Sequence, residues 1–492
     1  MPFMLPDPAT TTRLLEIHQY LPFGLTPNGD GTANIIQHGG GFNTALKVPS
    51  NVLLYSIGCP SCEVPSELED FLEVKLRETY GAIPVFLPKD VRPTFEKFCN
   101  STIWSIFHTL PEHVAYRRDD WTAYVQANRM YAKAVAAEVC DGDMLWIHGL
   151  ALMLLPEMIR AEINGRVKDV KIAFIMHTPF PSIDVLRILP VHTEVLQALL
   201  QSDFLSFHAA DYVKNFLDCC SRALCLDTTP NSVQFHEQTV NVASCPYGID
   251  LDRCKDFLRT PTGQQKLSAM TRTWRGLKVM ISIDELQNTN GVLEKLYAFE
   301  ALLEDHKEWI GKVILVQILI TPKGSLEGGP NEGEINAVIG EIMGRYSTMD
   351  YSPIKVFGTF RFRDDFAALL AASDVYVDSS FREATSEAAL HYIMTQHTNH
   401  GVLLLSQFAA PAQTMRGVYL VNPYDTLHLA DTMYESLMVD AAQRRENWTQ
   451  MERYVAKYSR EAWVQSMLGA LKKSSSRNPE TRRISAESAC VA

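Results

Sequence analysis

The sequence lacks a hydrophobic run long enough to span a membrane, since no apolar segment reaches the ~20 residues that a bilayer requires. Residues 1–12 lack a basic segment followed by a long apolar core, so the sequence predicts no signal peptide. Basic residues are in deficit: 45 Lys and Arg face 57 Asp and Glu, for a net charge of −12. This balance argues against nucleic acid or an anionic membrane as a main partner.

The cysteines do not form a recognisable framework for disulfides or zinc. Ten of them are scattered over 492 residues, a distribution typical of reduced thiols, and it predicts a cytoplasmic protein. Cys59 and Cys62 form a single CxxC sequence, which without a second pair favours structural cysteines over a zinc site. The composition, 46% hydrophobic and 21% charged, is that of a soluble globular protein, and the length suits two domains of about 200–250 residues.

The most informative segment is a predicted strand, loop and helix between residues 278 and 306. Val279–Ile283 has the length and bulk of a buried strand, and apolar residues recur at helical spacing from Val292 onwards. The loop between them, residues 284–291, would lie at the carboxyl edge of a parallel sheet, where ligands bind and a helix start favours anions. This loop contains no lysine or arginine, and it carries Glu285 and Asn290 instead.

Strand-like and helix-like segments alternate along the chain, which predicts an α/β protein built from two doubly wound parallel sheets. We expect domains at residues 1–247 and 248–471, followed by a disordered tail at 472–492 that has no periodicity. Two further loops are candidate ligand contacts. Gly40 and Gly41 lie in one of them, which is also compatible with a plain turn, and His177 begins an HTPFP segment, where it could equally be a satisfied turn histidine.

Several long segments in this order resemble trehalose-6-phosphate synthases, a family of two-lobed retaining glycosyltransferases with the GT-B fold. They are FCNSTIWSIFH (98–108), FIMHTPFPS (174–182), SDFLSFHAADYVKNFL (202–217), PYGID (246–250), KLYAFEALLEDHKEWIGKVILVQI (295–318) and LLLSQFAAPAQTMRGVYLVNPYDT (403–426). The resemblance covers roughly residues 13–470. It implies transfer of glucose from UDP-glucose to glucose 6-phosphate, without a metal or another cofactor, in a cleft between the lobes.

The resemblance also shows where this chain departs from the family. The loop motif RLDYxKG reads ELQNTNG here, so Glu285 and Asn290 occupy the positions of the Arg and Lys that meet the leaving diphosphate. Gly40, Gly41 and His177 are retained on the donor side, and Trp104 and Lys323 on the acceptor side. Other expected ligand residues are replaced, namely the phosphate-binding Arg by Tyr20, a Tyr by Phe95, an Asp by Gly149 and the ribose-binding carboxylate by His391.

Two functional hypotheses follow. In the first, the chain has no catalytic residues of its own and regulates or scaffolds an active trehalose-6-phosphate synthase or phosphatase subunit. In the second, it is an active glycosyltransferase that binds a UDP-sugar and a sugar phosphate. The sequence further predicts that Ser485, which follows Arg482 and Arg483, is a regulatory phosphorylation site, with an unmodified solvated tail as the alternative.

Overall fold

A computed structural model describes residues 12–27, 33–37, 46–286, 289–321, 332–359 and 365–474. The chain forms two compact units, one of residues 1–245 with 464–492 and one of residues 246–463. The described residues 464–474 thus group with the first unit, whereas the sequence predicted a second domain that runs to residue 471 and a tail from residue 472.

The first unit is built on a nine-stranded sheet with the order β5-β4-β1-β6-β7-β8-β11-β10-β9. Neighbouring strands are parallel from β5 to β11. The last two pairs of the sheet, β11 with β10 and β10 with β9, are antiparallel. A separate antiparallel hairpin pairs β2 with β3. The strands are β1 (Thr12–Tyr20), β2 (Phe23–Pro27), β3 (Ala33–Gln37), β4 (Val52–Cys59), β5 (Ala82–Pro84), β6 (Met144–His148), β7 (Lys171–Ile175), β8 (Phe204–Phe207), β9 (Thr228–Thr229), β10 (Ser232–Phe235) and β11 (Gln238–Ser244).

Helices alternate with these strands. They are α1 (Glu69–Tyr80), α2 (Arg92–Lys97), α3 (Trp104–Phe107), α4 (Arg118–Glu138), α5 (Leu155–Ile163), α6 (Ile183–Leu186), α7 (His192–Leu199) and α8 (Ala210–Leu224). A π-helical segment, Phe98–Ile103, joins α2 to α3. Lys171 of β7 binds residues close to the end of the described chain. Its Nζ donates to the carbonyls of Leu471, Lys472 and Ser474 at 3.2, 2.9 and 2.8 Å.

The second unit contains a six-stranded, fully parallel sheet with the order β14-β13-β12-β15-β16-β17. Counted from its own first strand this order is 3-2-1-4-5-6, the arrangement of a doubly wound sheet. The strands are β12 (Lys278–Glu285), β13 (Val313–Ile320), β14 (Ile354–Thr359), β15 (Val375–Val377), β16 (Val402–Ser406) and β17 (Tyr419–Val421). The helices are α9 (Leu251–Arg259), α10 (Pro261–Thr273), α11 (Val292–Asp305), α12 (Glu332–Tyr346), α13 (Phe366–Ala372), α14 (Glu387–Thr395), α15 (Thr426–Met438) and α16 (Ala441–Lys457). The last helix, α17 (Arg460–Lys473), begins in this unit, and its residues from 464 onwards group with the first unit.

Continuous apolar strands explain this architecture, because a parallel sheet is covered on both faces. In β12, Met280 belongs to one hydrophobic cluster, whereas Val279 and Ile281 belong to another on the opposite face. The two parallel-sheet units confirm the predicted α/β fold class. Among the described residues, no helix has the combined length and apolar character that crossing a bilayer requires.

Candidate functional site

In doubly wound sheets, ligands bind beyond the carboxyl ends of the strands, where the strand order reverses. In the second unit this point lies between β12 and β15. Strand β12 ends at Glu285 and β15 ends at Val377, so the loop of residues 284–291 and the segment that begins at Asp378 both start there. The predicted donor loop is therefore at the switch point of its own unit.

A buried ion pair fixes the end of β12. The Lys295 side chain has no exposed surface, and its amine contacts the Asp284 carboxylate and the Ser282 hydroxyl. Gln317 of β13 donates from Nε2 to the same Asp284 oxygen at 2.7 Å. The Lys295 amine holds the end of β12, because both of its partners, Asp284 and Ser282, are buried residues of that strand.

The described residues at the end of the donor loop, 289–291, are held by hydrogen bonds although the loop carries no cation at the two expected positions. Asn290 is 9% exposed, and its amide nitrogen donates to the Glu285 carbonyl at 2.8 Å. The Ser379 hydroxyl donates to the carbonyls of Asn290 and Gly291 at 3.1 and 2.8 Å. Gly291 has φ +57°, and a Cβ there would lie 2.1 Å from the Ser379 carbonyl oxygen, so only glycine fits. Asn290 thus serves the loop itself.

The carboxylates near this loop make the site electronegative. The Glu285 side chain reaches solvent in part. Its pKa is raised because the surrounding protein restricts hydration of the carboxylate and because Glu387 is nearby. Burial and the neighbouring Asp378 raise the pKa of Glu383 to about 7. Burial also raises the pKa of Asp378. A diphosphate would meet several acidic groups here.

His391, at the position expected to hold the nucleotide ribose, forms a buried cluster with three other residues. Its Nδ1 lies 3.2 Å from the Cys254 sulfur, and its Nε2 lies 3.6 Å from Glu387 Oε1. Arg460 Nη2 approaches the same Glu387 oxygen at 3.4 Å. Burial lowers the pKa of His391, but the contacts with Cys254 and Glu387 outweigh it and raise this pKa to about 9. The His391 imidazolium therefore stands where the resemblance implies a carboxylate, and the Glu387 carboxylate lies one helical turn earlier.

In the first unit, four histidines form a chain along the carboxyl ends of adjacent strands. His18 lies near the end of β1, His148 ends β6, and His177 and His208 follow β7 and β8. His148 Nδ1 lies 2.7 Å from His177 Nε2, and His177 Nδ1 lies 3.0 Å from His208 Nε2. His208 Nδ1 lies 3.1 Å from the carbonyl of Cys245. The predicted donor-side residue His177 is thus the centre of a hydrogen-bonded series.

The carbonyl at the end of this series determines the proton positions of neutral imidazoles. The Cys245 carbonyl can only accept, so His208 Nδ1 donates and His208 Nε2 accepts from His177 Nδ1. By the same rule His148 Nδ1 donates to His177 Nε2. Burial lowers the pKa of His208 to about 4, and burial with the adjacent histidines lowers the pKa of His148 well below its usual value, which favours the neutral forms.

Tyr20, which stands at the expected phosphate-binding arginine, has a cation near its ring. The Arg92 guanidinium lies 6.0 Å from the ring centroid. Arg92 already donates to Glu96 at 2.7 Å and to the Cys62 carbonyl at 2.9 Å. Burial, followed by Glu96, raises the pKa of Tyr20, so this phenol stays neutral. A charge is present, but it is paired within the protein.

The other acceptor-side positions of this unit have structural partners. The Phe95 side chain is 1% exposed, and its ring centroid lies 5.9 Å from that of Tyr124. The Trp104 ring stacks on His108 at 3.8 Å. Gly149 has φ +81° and ψ 175°, a conformation that is essentially restricted to glycine. Of the remaining predicted residues, Gly40, Gly41, Lys323 and Ser485 lie outside the described residues. That both units contribute to one cleft stays a prediction.

Sequence reasoning did not identify the histidine chain or its contact with Glu16. The sequence contains a signal for this chain. Each of the four histidines lies near or just after the end of a predicted strand, and so at the carboxyl edge of the sheet: His18, His148, His177 and His208. The acidic residues Asp378, Glu383 and Glu387 were also missed. They lie just after a short strand, and carboxylates in such a loop are usually solvated.

Comparison with known proteins agrees with this architecture. The family model described as Glycosyltransferase family 20 matches residues 33–473. A UDP-forming alpha,alpha-trehalose-phosphate synthase of Emericella nidulans is 37% identical over 474 residues, which cover 96% of this chain and 94% of the relative.

Solved structures match over nearly the whole chain. The N-terminal domain of a Candida albicans trehalose-6-phosphate phosphatase aligns with a TM-score of 0.84 at 23% identity, covering 94% of this chain and 97% of that one. A UDP-forming trehalose-phosphate synthase from Burkholderia xenovorans aligns with a TM-score of 0.78 at 23% identity, covering 95% of this chain and 100% of that one. These matches confirm the predicted GT-B fold class. Together with the matched family model and the sequence identity of the fungal relative, they show that the chain belongs to glycosyltransferase family 20.

Proposed function

We propose that this trehalose-phosphate-synthase-like protein acts in trehalose biosynthesis, in the cytoplasm, as a catalytically impaired regulatory or scaffold subunit. Its partners would be an active trehalose-6-phosphate synthase or a phosphatase of the same pathway. The observation that carries the proposal is the donor loop: Glu285 and Asn290 occupy the two cationic positions, and hydrogen bonds hold Asn290 and Gly291 in place.

The size of the resulting defect follows from the chemistry of the leaving group. Without a metal, protein cations must stabilise the negative charge that develops on a departing diphosphate. Each lost charge-assisted hydrogen bond removes about 1.5–3 kcal/mol. A carboxylate about 4 Å from a phosphate adds repulsion of ~1–4 kcal/mol at intermediate to high dielectric. Together these terms reduce transition-state binding by several powers of ten.

Three cations at this end of the sheet already face carboxylates of the protein. Lys295 is buried against Asp284, and Arg460 and His391 both approach Glu387. An added diphosphate would compete with these internal carboxylates. This arrangement supports a fold that is kept for binding a partner rather than for turnover.

A scaffold role is also compatible with where the fold occurs. The Candida albicans domain of the same fold belongs to a protein named as a phosphatase. We therefore expect the chain to bind an active synthase or phosphatase directly, and to change its activity or its assembly.

The test is release of UDP from UDP-glucose and glucose 6-phosphate by the purified protein. We expect no release above background, with the Emericella nidulans synthase as the positive control. Turnover at an ordinary enzyme rate of about 1–1,000 per second would overturn the proposal. Adding the chain to the active synthase, followed by gel filtration and rate measurement, tests the regulatory half.

A charge-restoring variant separates donor binding from catalysis. Glu285→Arg with Asn290→Lys should increase the rise in melting temperature that UDP-glucose produces, because a ligand that binds the native state stabilises it. Turnover should stay low, since Gly149 and His391 are unchanged. The matched control is Glu294→Arg, in the first turn of α11 and outside the donor loop.

The second candidate function is an active glycosyltransferase that gives trehalose 6-phosphate or uses another acceptor. It is favoured by the preserved loop geometry at Gly291 and by His177, whose ring is oriented on both sides by hydrogen-bonding histidines. Rapid UDP release by the unmodified protein would establish this function in place of the first.

A further inference from the structure

We propose that Glu16, His18 and His148 form a binding site for a divalent transition metal such as Zn²⁺ at the switch point of the first sheet. One ligand atom from each residue lies within 4.8 Å of the other two. The site is independent of whether the chain has glycosyltransferase activity. It also goes beyond the family resemblance, in which the first strand ends in SNRLP and Ser occupies the position of His18.

The three side chains converge on one carboxylate oxygen. Glu16 Oε1 lies 2.9 Å from His18 Nε2 and 3.5 Å from His148 Nε2. Two ligand atoms of a tetrahedral zinc site are about 3.3 Å apart, given metal–ligand distances of about 2.0–2.1 Å. All three residues are buried, with exposures of 2% for Glu16, 7% for His18 and 6% for His148. The 2.9 Å contact of His18 Nε2 with Glu16 Oε1 is also of hydrogen-bond length, so a metal ion would replace the proton between these two atoms.

The direction of the histidine chain supplies an independent argument. His148 Nδ1 lies 2.7 Å from His177 Nε2, so Nε2 is the ring nitrogen on the side of Glu16, 3.5 Å from its Oε1. A metal-ligating histidine commonly donates its other ring nitrogen to a neighbour, which fixes its tautomer, as His177 does here for His148.

The ligand set indicates the class of ion. Two imidazoles with one carboxylate suit Zn²⁺, Co²⁺, Ni²⁺ or Cu²⁺, whereas Mg²⁺ and Ca²⁺ prefer oxygen ligands. The His18 and His148 rings are stacked, with centroids 4.2 Å apart and planes inclined by 19°. Both nitrogens can point at one ion only if the rings tilt away from each other. Binding should therefore change the environment of both rings.

The experiment is titration of the full-length, chelator-treated protein with Zn²⁺, and with Co²⁺ as a spectroscopic probe. We expect one equivalent of Zn²⁺ to bind and Co²⁺ to give the visible absorption of a low-coordinate site, with no response to Mg²⁺. Glu16→Gln and His18→Gln should abolish the absorption, and His177→Ala should weaken affinity about 10–100-fold through loss of the orienting contact.

Two controls keep the test decisive. His192→Gln removes a half-buried histidine whose Nδ1 contacts the Leu189 carbonyl, and it should leave metal binding unchanged. Circular dichroism of the metal-free variants identifies any that fail to fold, and Glu16→Gln, which keeps the side-chain shape, is then the deciding one. Absence of stoichiometric binding by the unmodified protein, or equal binding by folded Glu16→Gln, would overturn the proposal and leave a hydrogen-bonded histidine chain only.

Discussion

Removing the buried amine of Lys295 is the sharpest test of how the donor loop is held. In Lys295→Met the Asp284 carboxylate keeps Gln317 and Ser282 as partners but loses its cation inside the sheet. Breaking one side of a buried pair costs about 3–5 kcal/mol, since a buried charge is left without compensation. At 1.4 kcal/mol per factor of ten, the ratio of folded to unfolded protein falls at least 100-fold, as an order of magnitude.

Hydrogen exchange of the β13 amides is the appropriate assay, because two compact units need not unfold in one step. The amides of Val313–Ile320 should exchange at least 100-fold faster in Lys295→Met, and adding Asp284→Asn should restore most of their protection. The control is Lys266→Met, which removes a partly exposed pair with Asp365 at 2.7 Å and should cost about 0–1 kcal/mol. If Lys295→Met behaves like this control, the argument that the buried pair anchors the loop is wrong.

Three further predictions concern other parts of the chain. Gly291→Ala should lower the free energy of unfolding of the second unit by more than ~1–2 kcal/mol, since the left-handed backbone and the Ser379 carbonyl both oppose a Cβ; Gly340→Ala, in open space on α12 of the same unit, should not, and hydrogen exchange of the β13 amides compares the two variants. The pKa of His391 in the folded protein is raised to about 9, so its contribution to stability is full below about pH 6.5 and is lost as the pH rises towards 9, by on the order of 3 kcal/mol. In thermal denaturation, His391→Gln should flatten this pH dependence of stability. An unchanged slope in the variant would contradict the role given to His391. A basophilic kinase should phosphorylate Ser485, and mass spectrometry that finds no phosphate on this peptide would reject the site.

Local patterns are enough to predict β12 and α11 of the second unit. The run from Val279 to Ile283 falls within β12, and the helical spacing from Val292 falls within α11. These segments were readable because each buries apolar residues at the period of its own secondary structure. The position of the loop at the sheet edge then followed from parallel topology.

The histidine chain and the role of Asn290 could not be derived in this way. His18, His148, His177 and His208 are far apart in sequence and meet only because β1, β6, β7 and β8 are neighbours in the sheet. Strand order reflects long-range packing that periodicity does not encode. Asn290 was interpreted as a missing charge, and its hydrogen bond to the Glu285 backbone depends on a turn geometry visible only in three dimensions.

The return of the chain to its first unit has a consequence for synthesis on the ribosome. Strand β7 is translated early, yet the three carbonyls that its Lys171 binds belong to residues 471, 472 and 474, some 300 positions later. During synthesis the first unit therefore lacks the Lys171 hydrogen bonds until the whole second unit has been translated. A chain that ends before residue 471 would therefore contain every strand of the first sheet but would lack the three acceptors of Lys171.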